Sequence, residues 1–408
     1  MSGNRLVETM YIFVINAGSS SLKYQLFNWP SPKPVCVGLA DRIGLANAVV
    51  THKTFLNDIE AVVSHTCNMP DHNSAIQEVN RLLTTGENPV LQNTSEVSIV
   101  GHRIVHGGEY FVSTTVITPA VKEKLLLTFQ LAPLHNPPAY NGIVVAEKVF
   151  RKATHIGVFD TAFFQSLPER AFRYAIPKSY YTQQHIRVYG FHGTSHKYVG
   201  EEACKFLAKK DARLITIHLG NGCSISAIKD GRAVDTSMGF GPLEGLIMGT
   251  RSGTIDPTVV FYLIEEMGYD PATVSVLLNK QSGMLGLTGY SDMRDITKEI
   301  NKGNADAKLA YELYAYRIKK YIGSYIAALN GLDALVFTAG VGENDKLIRE
   351  MICSEMEFLG IRLDAEKNDR TQHGIRDIST EGSPVRILIA PTNEELEIAR
   401  QCVECLNG

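Results

Sequence analysis

Four short segments are dense in arginine, histidine and glycine: residues 101–109 with Arg103 and His106, 131–136 with His135, 190–196 with His192, and 249–253 with Arg251. Arginine holds phosphoryl or carboxylate oxygens with two parallel N–H donors, and glycine lets a ligand approach the main chain. A single histidine beside glycine is more often a turn or core residue, and a single arginine a solvated charge. Four such clusters in otherwise average sequence favour anion binding. Two turns could add donors: Asn16-Ala17-Gly18-Ser19-Ser20-Ser21, followed by Lys23, and Gly220-Asn221-Gly222 in the second half. Successive backbone N–H groups in such turns cradle phosphate oxygens, and lysine adds a compact charge. Taken alone, the first also reads as an ordinary polar hairpin turn. Two of them in matching places favour a phosphate clamp.

Other chemistries lack their residues. No GxxxxGK[ST] occurs, so there is no P-loop. Gly340-Val341-Gly342 lacks the third glycine of a dinucleotide fingerprint, and Gly239-Phe240-Gly241 runs into Pro242 and reads as a loop. No GxSxG elbow offers a nucleophile. His102 and His106 have metal-like spacing, but the residues between them read as a strand and no HExxH is present. Cys402 and Cys405 form a lone CxxC without a second pair, and they read as reduced cysteines on a helix. Seven sparse cysteines in all suit a cytoplasmic protein.

These groups need a large scaffold. At 408 residues the chain exceeds the ~250–300 at which single cores stop growing, so two domains are expected. A hydrophobic content of 44% with 20% charged residues excludes a disordered or collagen-like chain. A net charge of −3 argues against broad binding to nucleic acid or anionic membrane. Apolar runs such as residues 10–15 and 334–337 fall far short of the ~18–20 needed to span a bilayer, and no signal peptide is expected.

The order of elements suggests how the scaffold is built. Residues 11–15 read as a strand, then comes the first turn, then strands over 22–27 and 35–39. Thr118-Pro119 opens a helix with Val121, Leu125 and Phe129 on one face, stopped by Pro133, Pro137 and Pro138. The second half starts over: strand 213–219, turn 220–222, strand 224–228, the hairpin turn Asp230-Gly231, and strand 232–236. This repeat predicts two similar α/β domains facing each other across a ligand cleft. A long helix over 306–330 with a Gly331 cap follows, then strands over 332–338 and 385–390 and a last helix over 393–406.

Longer motifs now carry a resemblance. Val14-Ile15-Asn16-Ala17-Gly18-Ser19-Ser20-Ser21-Leu22-Lys23 and Tyr189-Gly190-Phe191-His192-Gly193-Thr194-Ser195-His196 resemble the two signatures of the acetate kinase family. Residues 103–109, 132–136, 159–161, 218–222, 248–253, 291–294, 339–344 and 391–395 extend the likeness, which runs from about residue 11 to 406. It implies an α/β fold of two like domains, the actin-like ATPase or ribonuclease H-like fold, with a nucleotide in the cleft. The first domain would be 1–159 plus 393–408, and the second 160–392. It implies magnesium-dependent phosphoryl transfer from ATP to acetate, giving acetyl phosphate and ADP, with Mn2+ able to replace Mg2+. A homodimer is also implied, with no nucleic-acid or membrane partner.

Carried over residue by residue, Asn16 and Glu394 match the positions around magnesium. Ser19, Ser21 and Lys23 match the first phosphate loop, and His218, Asn221 and Gly222 the second. Arg103, His192 and Arg251 match the groups around the transferred phosphoryl, Asp160 the active-site aspartate, and His135 a supporting histidine. Asp292, Met293, Arg294, Gly340, Val341, Gly342 and Asn344 match the nucleoside site. Val105, Leu134, Phe191 and Pro242 match an apolar pocket for the substrate methyl. Propionate kinases are similar but tend to carry a smaller residue at the position of Val105. Two features depart from the family: Phe164 stands where members usually have histidine, and some nine residues extend the N-terminus. A non-enzymatic actin-like or chaperone ATPase is the alternative from another class, but it would have no use for Arg103, His192 and Arg251.

Overall fold

The computed structural model describes residues 10–56 and 59–407. The N-terminal extension and the expected lack of a signal peptide concern residues 1–9, outside the described residues. The chain divides into two compact units, residues 1–162 with 393–408, and residues 163–392.

The first unit is built on eight strands: β1 (Met10–Ala17), β2 (Ser21–Trp29), β3 (Pro34–Asp41), β4 (Val49–Leu56), β5 (Ile59–Thr66), β6 (Val97–Ile104), β7 (Thr115–Val116) and β8 (Thr154–Phe159). Their order in the sheet is β5-β4-β3-β2-β1-β6-β8-β7. The second has β9 (Arg213–Leu219), β10 (Cys223–Lys229), β11 (Arg232–Thr236), β12 (Ala334–Thr338), β13 (Arg376–Asp377) and β14 (Arg386–Ile389), ordered β11-β10-β9-β12-β14-β13. In the first unit β3-β2-β1 are antiparallel, and β1, β6 and β8 run parallel. In the second β11-β10-β9 are antiparallel, and β9, β12 and β14 run parallel. The repeat read from the sequence covered only the antiparallel part; the structure extends it to five strands of like order.

Parallel strands covered on both faces become continuous apolar runs, and all five residues of β12 are buried. In the first unit the helices Asn136–Val149 and Glu394–Asn407 both pack on β1 and β6. Gly101 on β6 permits the second of these contacts. A Cβ there would lie 2.9 Å from both Cys402 Sγ and Ile398 Cγ2 of the last helix.

Several elements differ from their sequence reading. Thr118 caps the helix Pro119–Leu127 by accepting from the Val121 N–H, but the helix ends before Phe129. Pro137 and Pro138 do not stop it. They lie in the first turn of Asn136–Val149, where a missing N–H costs nothing. The long helix is Ala305–Leu329, with Asn330 at φ 54° as its left-handed cap just before Gly331. Residues after β12 form a short helix, Ala339–Asn344, where the sequence had shown only a glycine-rich stretch.

Gly101→Ala should push the last helix off β6 and lower stability by about 1–3 kcal/mol, the usual cost of overpacking. A urea titration of both proteins checks it; an unchanged midpoint would show that the helix can shift at no cost.

Candidate functional site

The parallel pair β6–β8 sets the centre of the first unit. Arg103 lies near the end of β6, and Asp160 follows β8 directly, its N–H bonded to Ile104 O at 3.0 Å. Asp160 is 1% exposed and accepts from Arg103 Nη2 at 2.7 Å and from Nε at 3.2 and 3.3 Å. Glu394, first residue of the last helix, is 3.6 Å from the same Nη2. Burial opposes the Arg103 charge, but Asp160 and Glu394 outweigh it and its pKa is raised. Burial, then the Asp160 and Glu395 charges, push Glu394 above the usual carboxylate range, against the pull of Arg103 and Lys23. The carboxylate oxygens of Asp160 and Glu394 are thus hard donors in a largely buried setting, where a cation would favour their charged form. With the Asn16 amide near the end of β1, these hard oxygen donors fit a magnesium ion.

The first turn is tighter than its sequence suggested. Asn16 is still in β1 and Ser21 already in β2, leaving residues 18–20 as the turn. Gly18 donates to Ser21 O at 2.8 Å, Ser20 O accepts from Ile43 at 2.8 Å, and Gly18 O meets His72 Nε2 at 2.7 Å. Ser19 is exposed and Ser21 half-buried. Lys23 forms an ion pair with Glu395 Oε1 at 2.6 Å, and Gln25 holds Oε2 of the same carboxylate at 3.3 Å. The charge read as a phosphate ligand is therefore already paired. Val105 is half-buried just past β6, and Leu134 is 58% exposed. His135 is half-buried directly before the helix Asn136–Val149.

In the second unit, His192 at φ 57° ends a loop and begins the helix Gly193–Phe206. Its Nδ1 lies 2.9 Å from Ser224 Oγ, which lies 2.7 Å from His196 Nε2; His196 Nδ1 is 2.7 Å from Thr216 Oγ1. The proton positions follow from the end of this chain. Thr216 donates to Ser226 O at 3.5 Å, so it accepts the Nδ1 proton of His196. His196 Nε2 then accepts from the Ser224 hydroxyl, and Ser224 Oγ accepts from His192 Nδ1. The His192 ring stacks on His218 at 4.3 Å, and His218 Nδ1 meets Ser195 Oγ at 2.8 Å. Gly222 brings the turn against this group: a Cβ there would lie 3.4 Å from His192 Nε2 and 3.7 Å from Arg251 Nη1. Arg251 donates from Nη1 to Pro242 O at 3.0 Å, and burial lowers its pKa. Phe191 is buried, and Pro242 half-buried. Phe164, the departure from the family pattern, is fully buried with its ring edge-on to His196 at 6.0 Å.

A cavity of about 880 Å³ opens in the same unit. Asp292, Met293, Arg294, Gly340, Val341 and Asn344, matched above to a nucleoside site, line it together with Asn221 of the second turn. Gly342 lies behind the wall, buried, and its carbonyl accepts from Arg349 Nη1 at 2.9 Å. Arg294 and Asp292 form a two-pronged ion pair, with Nη2–Oδ2 at 2.6 Å and Nε–Oδ1 at 3.0 Å. The Arg294 bonds hold the Asp292 carboxyl down at about 2.

Sequence reasoning missed Glu395, Ser224, Thr216 and Arg349. Glu395 stood beside a chosen residue, but Ser224 and Thr216 are ordinary residues of adjacent strands, linked only through the two ring nitrogens of His196. Arg349 is fully buried, donating to Asn368 Oδ1 at 2.7 Å as well as to Gly342. Nothing local marks a buried arginine on an amphipathic helix.

Comparison with known proteins adds an independent line. The sequence profile of the acetokinase family matches residues 11–400. The acetate kinase of Flavobacterium johnsoniae is 52% identical, covering 98% of this chain and all of that one. That of Thermotoga maritima is 47% identical over 97% of this chain and 98% of its own. Among solved structures, acetate kinase from Porphyromonas gingivalis superposes with a TM-score of 0.90 at 43% identity, covering 97% of this chain and 100% of that one. A propionate kinase from Francisella tularensis also reaches 0.90, at 39% identity over 97% and 99%.

The buried histidines set a pH dependence. Burial, then the His218 charge, holds His196 well below its ordinary value; burial lowers His52 to about 4; burial, then the His155 charge, holds His102 well below its ordinary value. Each stays neutral when folded but gains a proton when unfolded below pH ~6.5. Stability therefore falls as pH drops from about 6.5 towards the folded value, by up to ~1.4 kcal/mol per pH unit for each group. In His196→Gln the decline of the urea midpoint from pH 7 to 5 should be shallower; equal slopes would show that His196 does not remain neutral.

Proposed function

The chain belongs to the acetokinase family, and we propose from this premise that it is an acetate kinase, moving the γ-phosphoryl group of ATP to acetate to give acetyl phosphate and ADP. The observation that carries the reading is the engagement of Asp160 by Arg103 through both carboxylate oxygens. An aspartate so held is poorly placed to abstract a proton. Acetate needs no such base, because a carboxyl group with a pKa of ~4–5 is ionised at pH 7. The task is instead to overcome repulsion between anions and hold them in line.

Each residue then has a defined part. Asp160 fixes the plane of the Arg103 guanidinium, and Arg103 donates to developing negative charge. Arg251, anchored by its bond to Pro242 O, donates from its remaining N–H groups. His192, oriented through Nδ1, offers Nε2 to a phosphoryl oxygen as a proton-bearing donor. The cavity beside Asp292 and Gly340 takes the nucleoside. Magnesium, when bound, would neutralise phosphate charge; Asp160, Glu394 and Asn16 are the oxygen donors suited to it. The setting would be the cytoplasm, where the seven free cysteines stay reduced.

Initial rates with a series of short carboxylates test the assignment. ADP release should depend on acetate, and acetate-independent turnover would remove the reading. Arg103→Ala and Arg251→Ala should each lower kcat on the order of 10²–10³, because each deletes a donor aimed at transition-state charge. KM for ATP should change much less; near-native kcat in a folded variant would strike that arginine from the mechanism.

Substrate size gives a second test. Val105, half-buried past β6, would crowd the extra carbon of propionate. One methylene in an apolar pocket is worth about 1–3 kcal/mol, roughly 10–200-fold in kcat/KM, so propionate should be a poor substrate that still turns over. Val105→Ala should narrow or reverse the preference, mainly through the KM for propionate. Equal acetate-to-propionate ratios in both proteins would show that Val105 does not gate the pocket.

A further inference from the structure

A second group of ligand-type side chains lies in the first unit, apart from every residue given a part in the reaction. His65 sits near the end of β5, Cys67 two residues on, and Glu78 in the helix His72–Thr84. One ligand atom from each lies within 4.8 Å of the other two. We propose that His65, Cys67 and Glu78 form a binding site for a divalent cation of borderline softness, Zn2+ foremost.

The donor types select the metal. Imidazole nitrogen, thiolate sulfur and carboxylate oxygen together suit zinc, whereas magnesium and calcium take oxygen alone. Three protein ligands leave the fourth tetrahedral position for water. Bonds of ~2.0–2.3 Å in a tetrahedron set ligand atoms roughly 3.3–3.7 Å apart. His65 Nε2 and Glu78 Oε1 are 2.9 Å apart, so they need only open by less than an ångström, with Cys67 Sγ inside the same sphere.

The framework is firm on two sides. Cys67 N–H bonds to Ala48 O at 3.1 Å, which fixes the chain as it leaves β5. Glu78 lies in a helix whose Asp71 cap forms a reciprocal capping box with Ser74. Arg81 now shares the Glu78 carboxylate, with Nε–Oε2 at 2.9 Å and Nη2–Oε1 at 2.7 Å. It keeps Glu78 ionised, and with 49% of its side chain exposed it can withdraw into water when a cation takes its place. On binding, the Cys67 S–H bond breaks, the proton passes to water, and sulfur forms the metal bond. His65 donates from Nε2 to Glu78 before binding; on binding the Nε2–H bond breaks, the imidazole takes up a proton at Nδ1 through water, and the freed Nε2 lone pair forms the metal bond.

Titration of the metal-stripped full chain with Co2+ tests the site, since cobalt reports both thiolate ligation and four-coordination in its absorption. One equivalent should give a thiolate-to-cobalt charge-transfer band that Zn2+ abolishes by displacement. Cys67→Ser should lack the band, and His65→Ala and Glu78→Gln should each weaken Zn2+ binding at least roughly tenfold, as measured by chelator competition. Zn2+ should also raise the thermal midpoint of the native chain but not of Cys67→Ser. With Mg2+ alone, Cys67→Ser should retain native phosphoryl-transfer activity. Absence of the band in the native chain, or its persistence in Cys67→Ser, would overturn the proposal.

Discussion

A buried arginine between two carboxylates is the interaction on which the first unit depends. Asp160 is nearly inaccessible, and an unpaired carboxylate there would cost several kcal/mol. Arg103 removes that cost only because β6 and β8 are adjacent and parallel, bringing a residue near one strand end beside the residue that follows the other. Glu394 adds a second carboxylate beside the same guanidinium, and burial is the first reason its pKa is raised. The pair is thus weak evidence for stability and better understood as a charge held in place. The last helix supplies Glu394, so its packing over Gly101 also sets where that carboxylate lies.

The same strand order in both units explains why functional residues collect where they do. Parallel strands end together, and the loops that leave those ends must carry whatever the core cannot. Arg103 and Asp160 occupy such ends in the first unit; His218 lies near the end of β9, and the helix with Gly340 and Asn344 follows β12 in the second. Burial of β12 on both faces fixes the base of that helix, and Arg349 holds the Gly342 carbonyl from beneath. Rigid strands thus bear the load while short turns and helix starts present the polar groups.

Much of this was legible in the sequence, for specific reasons. Alternating and continuous apolar runs marked β1, β2, β9, β10 and β11 to within two or three residues at either end, and Asp230-Gly231 marked its hairpin. Thr118-Pro119 located a helix start because capping is local chemistry. Pro137 and Pro138 misled because proline breaks a helix interior but suits a first turn, and the sequence alone does not say which position it occupies. Glycine-rich residues 339–344 hid a short helix, since their order comes from β12 and Arg349, which lie elsewhere in the chain. The ion pair of Lys23 with Glu395 was invisible to local pattern, because the two lie 372 residues apart.

The hydrogen-bond chain from Thr216 to His192 shows the limit most clearly. Each member is unremarkable by itself: a threonine and a serine in strands, and two histidines four apart on a helix start. Buried histidine cannot readily take a second proton, so His196 must give one and accept one. Thr216 has an acceptor of its own in Ser226 O, which settles the direction of every bond that follows. The orientation of His192 therefore depends on a carbonyl in β10 that never approaches the ligand. A serine hydroxyl between two imidazoles has one proton to donate, and His196 claims it. His192 can therefore satisfy Ser224 only by presenting Nδ1–H, which fixes the way its ring faces.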